Sequence, residues 1–447
     1  MITTRIPPSP TGHLHIGTVR TALFNYLFAR HSKGRFVFRS EDTDKARSKI
    51  EFETEIIDGL QALGLTWDNN EEVIRQSERG EIYRRYLEQG IENGKLYLSQ
   101  EESKQNPGET VEVVRLKNPN KEIVFNDLIR GEIAFDTTEL GDLVVARSID
   151  DALYHFTVVV DDNEMGVTHV LRGEDHISNT PRQILIQEAL GFARPEYAHL
   201  PLILAPDRSK MSKRHGAVAV EEYLKEGFLP AAIINYLALL GWNPGTDQEI
   251  FTLAELVEQF DVVKVHKSGA VFDRQKFLWI NKEHLNRLSN EEYLKLVEAA
   301  LPDSIKSLSQ YGTERLERLL PVMRERASTI GETADAAAAG EYDFAFAHPD
   351  VDPALLKWKK DPDTSVAATR LRAVSELLKD ADFSSAESIK AAIWDYAEKE
   401  GRGEVLWPLR VALTGLERSP DPFTVAHIIG HEDSLHRIKN ACDKIGE

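Results

Sequence analysis

Apolar positions in the first forty residues change their period twice. Arg5-Ile6 reads as the end of a strand and runs into Pro7-Pro8-Ser9-Pro10-Thr11-Gly12, where prolines and glycine exclude regular structure. From His15 onward Ile16, Val19, Leu23, Leu27 and Phe28 recur at helical spacing, and helix formers continue to Arg30. Gly34 breaks that pattern, and Phe36-Val37-Phe38 reads as a buried strand. A strand–turn–helix–strand opening predicts an open parallel sheet with a ligand site beyond the carboxyl ends of its strands. Two more helices are predicted over residues 51–63 and 81–94. Residues 99–150 then alternate apolar and polar positions in short runs bounded by Asn, Gly and Pro, which predicts an antiparallel insertion. Apolar runs over residues 156–160 and 199–204 predict central parallel strands that resume after it. Beyond Ala217 the periodicity is almost wholly helical, punctuated at Gly227, Gly241-Trp242-Asn243-Pro244-Gly245 and Leu301-Pro302.

Composition adds exclusions. The 447 residues are 42% hydrophobic and 28% charged, enough to build several packed cores, and no apolar run is long enough to span a membrane. Met1 to Ile6 lacks the apolar stretch of a secretory signal, and Cys442, the single cysteine, can supply neither an internal disulfide nor a thiol-rich zinc site. A soluble cytoplasmic protein with no membrane partner is expected. The net charge of −19 argues against non-specific coating of DNA or anionic lipid, but leaves room for an RNA-binding enzyme with a local basic face.

Two segments carry candidate chemistry. Pro8 to Gly17 sets small side chains and two imidazoles at a helix N-terminus, where free N–H groups and the helix dipole favour phosphate. Gly17 would let a flat ring approach the backbone, and His15 could donate to phosphate oxygens. The same turn also suits a proline-rich loop that merely caps a core helix. Far along the chain, Lys210-Met211-Ser212-Lys213-Arg214-His215-Gly216 reads as a basic loop able to bring Lys213 onto a triphosphate during phosphoryl or nucleotidyl transfer. Alone it equally suits a solvated basic turn.

Together the two change the picture. His15-Ile16-Gly17-Thr18 after the first strand and Lys210-Met211-Ser212-Lys213 after the last resemble the signature pair of class I aminoacyl-tRNA synthetases. Thr21 to Leu27, Glu41-Asp42-Thr43-Asp44, Val159-Val160-Asp161-Asp162, His169 to His176, Phe272-Asp273, Trp279-Ile280-Asn281, Leu355 to Lys359 and Trp407 to Gly415 resemble bacterial glutamyl-tRNA synthetase over essentially the whole chain. The resemblance implies a multidomain fold. A Rossmann-like catalytic domain (1–85 and 151–245) is split by an α+β acceptor-end-binding insertion (86–150). A helical stem-contact domain (246–321) and an all-helical anticodon-binding domain (322–447) follow.

It also implies roles. His15 and Lys213 would be catalytic, and Ser9, Thr11, His15, Gly17, Lys210, Ser212 and Lys213 would hold ATP with Mg2+. Arg5, Ser9, Glu41, Tyr154, Arg172 and His176 would hold glutamate, and Asp44 would meet the tRNA acceptor end. That inventory suits the ligand, since glutamate presents two carboxylates for arginine forks and one ammonium for a carboxylate. The partner implied is tRNA(Glu), with tRNA(Gln) open as a second acceptor, and a monomer is expected. This chain departs from the family in three places. No cysteine occurs near residues 95–101, where many relatives carry a zinc module, so zinc is not expected. Ala152-Leu153 replaces a usual Pro-Thr, and His176 occupies a position that varies between Trp and His. Three rivals share parts of this pattern: a shortened paralogue that glutamylates a tRNA base, a glutaminyl enzyme, and a catalytically dead tRNA-binding protein. The helical C-terminal half disfavours the first two, and retention of His15, Lys213 and both arginines disfavours the third.

Overall fold

The computed structural model describes residues 1–69, 73–102, 108–211 and 219–446. The chain forms two compact units, Met1–Asn281 and Lys282–Glu447. In the first, β1 (Thr3–Ile6) pairs in parallel with β2 (Arg35–Ser40), and α1 (Ile16–His31) makes the crossover between them. After α2 (Ile50–Ala62), β2 pairs on its far side with β3 (Ile74–Arg75).

Next come α3 (Gly80–Glu92) and the insertion: β4 (Leu96–Glu102), β5 (Thr110–Leu116), β6 (Glu122–Asp127), β7 (Gly131–Asp136), β8 (Leu143–Ser148) and β9 (Asp151–Ala152). The β4-β5-β8-β9 sheet is antiparallel, as the alternating pattern predicts. The β6–β7 hairpin behaves differently. It joins the parallel layer, with Asp127 beside Tyr197 of β11 (Glu196–Leu200), giving the order β10-β11-β6-β7, in which β10 is His169–Gly173.

One predicted strand is a helix. Residues 156–160 lie within α4 (Tyr154–Glu164), where Phe156 through Asp162 are all buried. A helix enclosed on every side shows no amphipathic period, so its Val-rich run is indistinguishable from a buried strand. The strand predicted over residues 199–204 ends at Leu200, and Pro201 separates it from β12 (Ile203–Leu204).

The two half-sheets meet between β1 and β10. The Thr168 N–H donates to Thr3 O at 3.0 Å, and the Thr3 N–H donates to Thr168 Oγ1 at 2.9 Å. Toward the carboxyl ends side chains replace the backbone ladder: Asn25 Nδ2 and Arg5 Nη1 both reach Leu171 O, at 3.0 and 3.5 Å. Connections run to opposite sides from this junction, so a crevice opens above it. Helix α5 (Thr180–Leu190) backs β10 and β11, while α6 (Val220–Lys225), α7 (Pro230–Leu239) and α8 (Leu253–Gln259) complete the core around Phe24, Leu237 and Trp242. β12 pairs with β13 (Ala270–Val271), ahead of α9 (Arg274–Arg287).

The second unit is helical from Asn290–Ala300 to His431–Gly446. Buried Arg437 ties it together, donating to Phe344 O and Leu413 O at 2.7 Å each and to Asp433 Oδ2 at 2.9 Å.

Candidate active site

Above the β1/β10 junction lies a cleft of about 830 Å³. Ten of the residues singled out from sequence line it: Arg5, Ser9, Thr11, His15, Gly17, Glu41, Tyr154, Arg172, His176 and Lys210. Asp44 does not. It is half-buried and accepts from Arg47 Nε at 2.7 Å. Ser212 and Lys213 lie outside the described residues.

The first wall is the N-terminus of α1. His15 is its N-cap: Nδ1 accepts from the Gly17 and Thr18 N–H groups at 3.1 and 3.3 Å. A nitrogen that accepts two N–H bonds carries no proton, so the ring hydrogen sits on Nε2, beside Thr18 Oγ1. Burial lowers the imidazole's pKa and nearby Lys210 lowers it further, favouring a neutral ring that donates through Nε2. Gly17 lets the ring sit this close, because a Cβ there would stand 3.0 Å from His15 Nδ1 and push it back by a few tenths of an ångström. The close approach that glycine permits is therefore to His15 itself. Lys210 Nζ bonds Asp175 Oδ2 at 3.0 Å, and that charge outweighs burial to hold Asp175 below the usual carboxylate range.

The floor is a layer of buried charge. Arg5 Nε faces both Asp162 oxygens at 3.3 Å; Arg39 donates to Asp162 Oδ1 at 2.9 Å and to Glu41 Oε1 at 3.0 Å. Asp161 takes Arg79 Nε at 2.6 Å and the Tyr83 hydroxyl at 2.8 Å. Burial pushes Glu41 up despite Arg39, whereas Arg5 and Arg39 overcome burial to hold Asp162 down. Arg39, Asp161 and Asp162 have no assigned role in the sequence reading. Apart from Glu41, two positions from Arg39, their partners stand 78 to 157 positions away in the chain, outside any local motif; the two adjacent aspartates after Val160 are the one visible trace.

Arg172 differs from Arg5, Arg39 and Arg79 of this layer. It is buried, yet its partners are Gln183 Oε1 (2.7 Å), Thr180 Oγ1 (2.8 Å) and His199 Nε2 (3.3 Å), all neutral acceptors. No carboxylate lies within salt-bridge distance among the described residues. A buried guanidinium without a counter-ion favours an anionic ligand. Tyr154, on the first turn of α4, faces the same space, its phenol pushed up to about 12 by burial and by the charge of Glu41. His176 is driven down to about 4 by burial and Arg172, and so stands neutral.

Comparison with known proteins agrees with this geometry. Residues 1–112 and 96–279 match the family described as tRNA synthetases class I (E and Q), catalytic domain, and residues 292–442 match an anticodon binding domain. The chain is 42% identical to a glutamate–tRNA ligase of Carboxydothermus hydrogenoformans, over 98% of this chain and 99% of the relative. The chain belongs to the class I glutamate–tRNA ligases. A second such ligase, from Nitratidesulfovibrio vulgaris, is also 42% identical over 98% of this chain and 99% of its own length. Among solved structures, a glutamate tRNA ligase from Elizabethkingia meningosepticum in complex with its amino acid superposes with a TM-score of 0.86 at 33% identity, covering 99% of both chains. The ligase fold thus extends through both units.

Proposed function

We propose that the cleft activates L-glutamate with MgATP and passes it to the 3′ end of tRNA(Glu). The observation that carries this reading is Arg172, a buried cation without a counter-ion among the described residues, beside a layer that otherwise balances its charges. Arg172 and Arg5 take the carboxylates, Glu41 attracts the ammonium, and Ser9, Tyr154 and His176 supply neutral polar contacts. ATP lies along the α1 N-terminus, beside Ser9, Thr11, His15, Gly17 and Lys210, and Ser212 and Lys213 are assigned to the same ligand.

Magnesium enters with the triphosphate. The cleft carboxylates Glu41 and Asp175 are paired with Arg39 and Lys210, so magnesium carried on the triphosphate would offset phosphate charge there without a dedicated protein cage. No zinc is required. The glutamate α-carboxylate attacks the α-phosphorus, its P–O bond forms as the bond to pyrophosphate breaks, and His15 Nε2–H with Lys213 stabilises the charge on the phosphates. The terminal ribose hydroxyl of tRNA then attacks the mixed anhydride, releasing AMP. Asp44 and the insertion meet the acceptor end, residues 246–321 the stem and residues 322–447 the anticodon.

The test is aminoacylation of purified tRNA(Glu) and tRNA(Gln) in parallel, with pyrophosphate exchange measured with and without tRNA. Charging of tRNA(Glu), with exchange that depends on tRNA, is expected; charging of tRNA(Gln) as well would define a non-discriminating enzyme. Strong exchange without tRNA would point instead to a base-modifying paralogue. Lys213→Ala should cost roughly 3–4 kcal/mol in kcat while ATP affinity changes less.

A further inference from the structure

Behind Arg172 stands a buried pair that the reaction scheme does not use. Asp127, the last residue of β6, accepts the N–H groups of Ile129 and Arg130 on Oδ1 and that of His199 on Oδ2, at 3.0, 2.9 and 3.0 Å. An oxygen pair that accepts three N–H bonds is a carboxylate, so the 2.6 Å contact between Asp127 Oδ2 and His199 Nδ1 places the imidazole hydrogen on Nδ1. Nε2 is then a lone pair, and it accepts from Arg172 Nε at 3.3 Å. Thr180 Oγ1, 3.1 Å from the same nitrogen, also receives Arg172 Nη2. Asp127 and His199 are both fully enclosed.

We propose that Asp127 and His199 are positioning residues for the amino-acid substrate: they fix the plane of Arg172 through a neutral acceptor and so leave its charge for the ligand. A carboxylate on Arg172 would orient the guanidinium equally well but would neutralise it. A histidine in the other tautomer, or doubly protonated, would turn an N–H toward an N–H. Neutral acceptors at three points use three of the five guanidinium N–H bonds, leaving two for a carboxylate. The support comes from the insertion. The β6–β7 turn is also pinned by Arg130, which pairs with Glu174 and donates from Nε to His199 O at 3.3 Å, while Glu174 Oε1 accepts from Leu202 N–H at 2.8 Å. That turn is thus built into the back wall of the pocket.

This inference rests on the reading of Arg172 as a carboxylate ligand, and the experiment separates the two. Gln183→Glu is the decisive variant: Gln183 Nε2 has no partner, so no hydrogen bond is lost, and a carboxylate arrives beside Arg172 Nη1. KM for glutamate should rise about tenfold or more, with KM for ATP within about twofold and the melting temperature unchanged or higher. A purely structural role predicts no such split. His199→Gln, whose amide oxygen reaches the place of Nε2, should keep most of the affinity; His199→Asn, which reaches no farther than Nδ1, should lose about tenfold. Arg172→Ala is run alongside. If it leaves glutamate KM unchanged, the ligand reading fails. If it raises KM but Gln183→Glu and His199→Asn do not, the positioning proposal fails. Should the His199 variants not fold, the Gln183→Glu result decides alone.

Discussion

At the scale of single residues, the protonation states are the features most open to test. His15 serves two ends of one ring: Nδ1 caps α1 and Nε2–H faces the cleft. His15→Asn restores a good cap without the distal donor, whereas His15→Ala removes both. The asparagine variant should melt within a degree or two of the parent yet lose on the order of a hundredfold in kcat; the alanine variant should in addition lose about 1 kcal/mol of stability, read by denaturant titration. Glu41 titrates above an ordinary glutamate because it is buried. As pH falls through that raised value it gains a proton and loses its attraction for an ammonium. The acid limb of kcat/KM for glutamate should therefore begin at a higher pH than an ordinary glutamate would impose, and Glu41→Gln should abolish that limb. Asp162 has the opposite sign. Its depressed pKa contributes stability above the ordinary aspartate value, which is lost as pH falls through the folded value. Asp162→Asn strands Arg5 and takes one of three carboxylates from Arg39, and should cost about 3–5 kcal/mol at neutral pH.

At the scale of elements, legibility followed how local each signal was. The β1 turn, α1 and β2 are readable because prolines, a helical stripe and an apolar triplet fall within forty residues, and one half of the signature pair lies in the same stretch. Helix α4 was unreadable by period because the fold surrounds it. The β6–β7 hairpin falls in the stretch read as an antiparallel insertion, but its membership of the parallel layer depends on contact with β11, some seventy positions later. For the same reason ten cleft-lining residues could be named in advance, while Asp127, Asp162 and His199, which make those residues work, could not. The glycine at the second position of α1 gives an element-scale test. Gly17→Ala must displace the His15 ring, so it should lower kcat by about tenfold or more while leaving far-UV circular dichroism intact, a loss that helix propensity alone would not cause.

At the scale of the whole molecule, every described residue lining the cleft lies between Arg5 and Ala219, within the first unit. A fragment ending at Arg287, the last residue of α9, should therefore still be stabilised by MgATP in a thermal melt and yet charge tRNA poorly; loss of the nucleotide shift would show that the second unit is needed to form the cleft. The junction of the half-sheets has a further consequence, for the order in which the chain is made. Thr3–Ile6 leaves the ribosome early, but its neighbour on one side, His169–Gly173, follows about 165 residues later. At roughly 5–20 residues per second, that strand waits on the order of ten seconds or more with one edge unpaired. An exposed strand edge invites pairing with other chains. The nascent polypeptide should then be most prone to aggregate, and most dependent on a chaperone, during the interval before Thr168 emerges to bond Thr3.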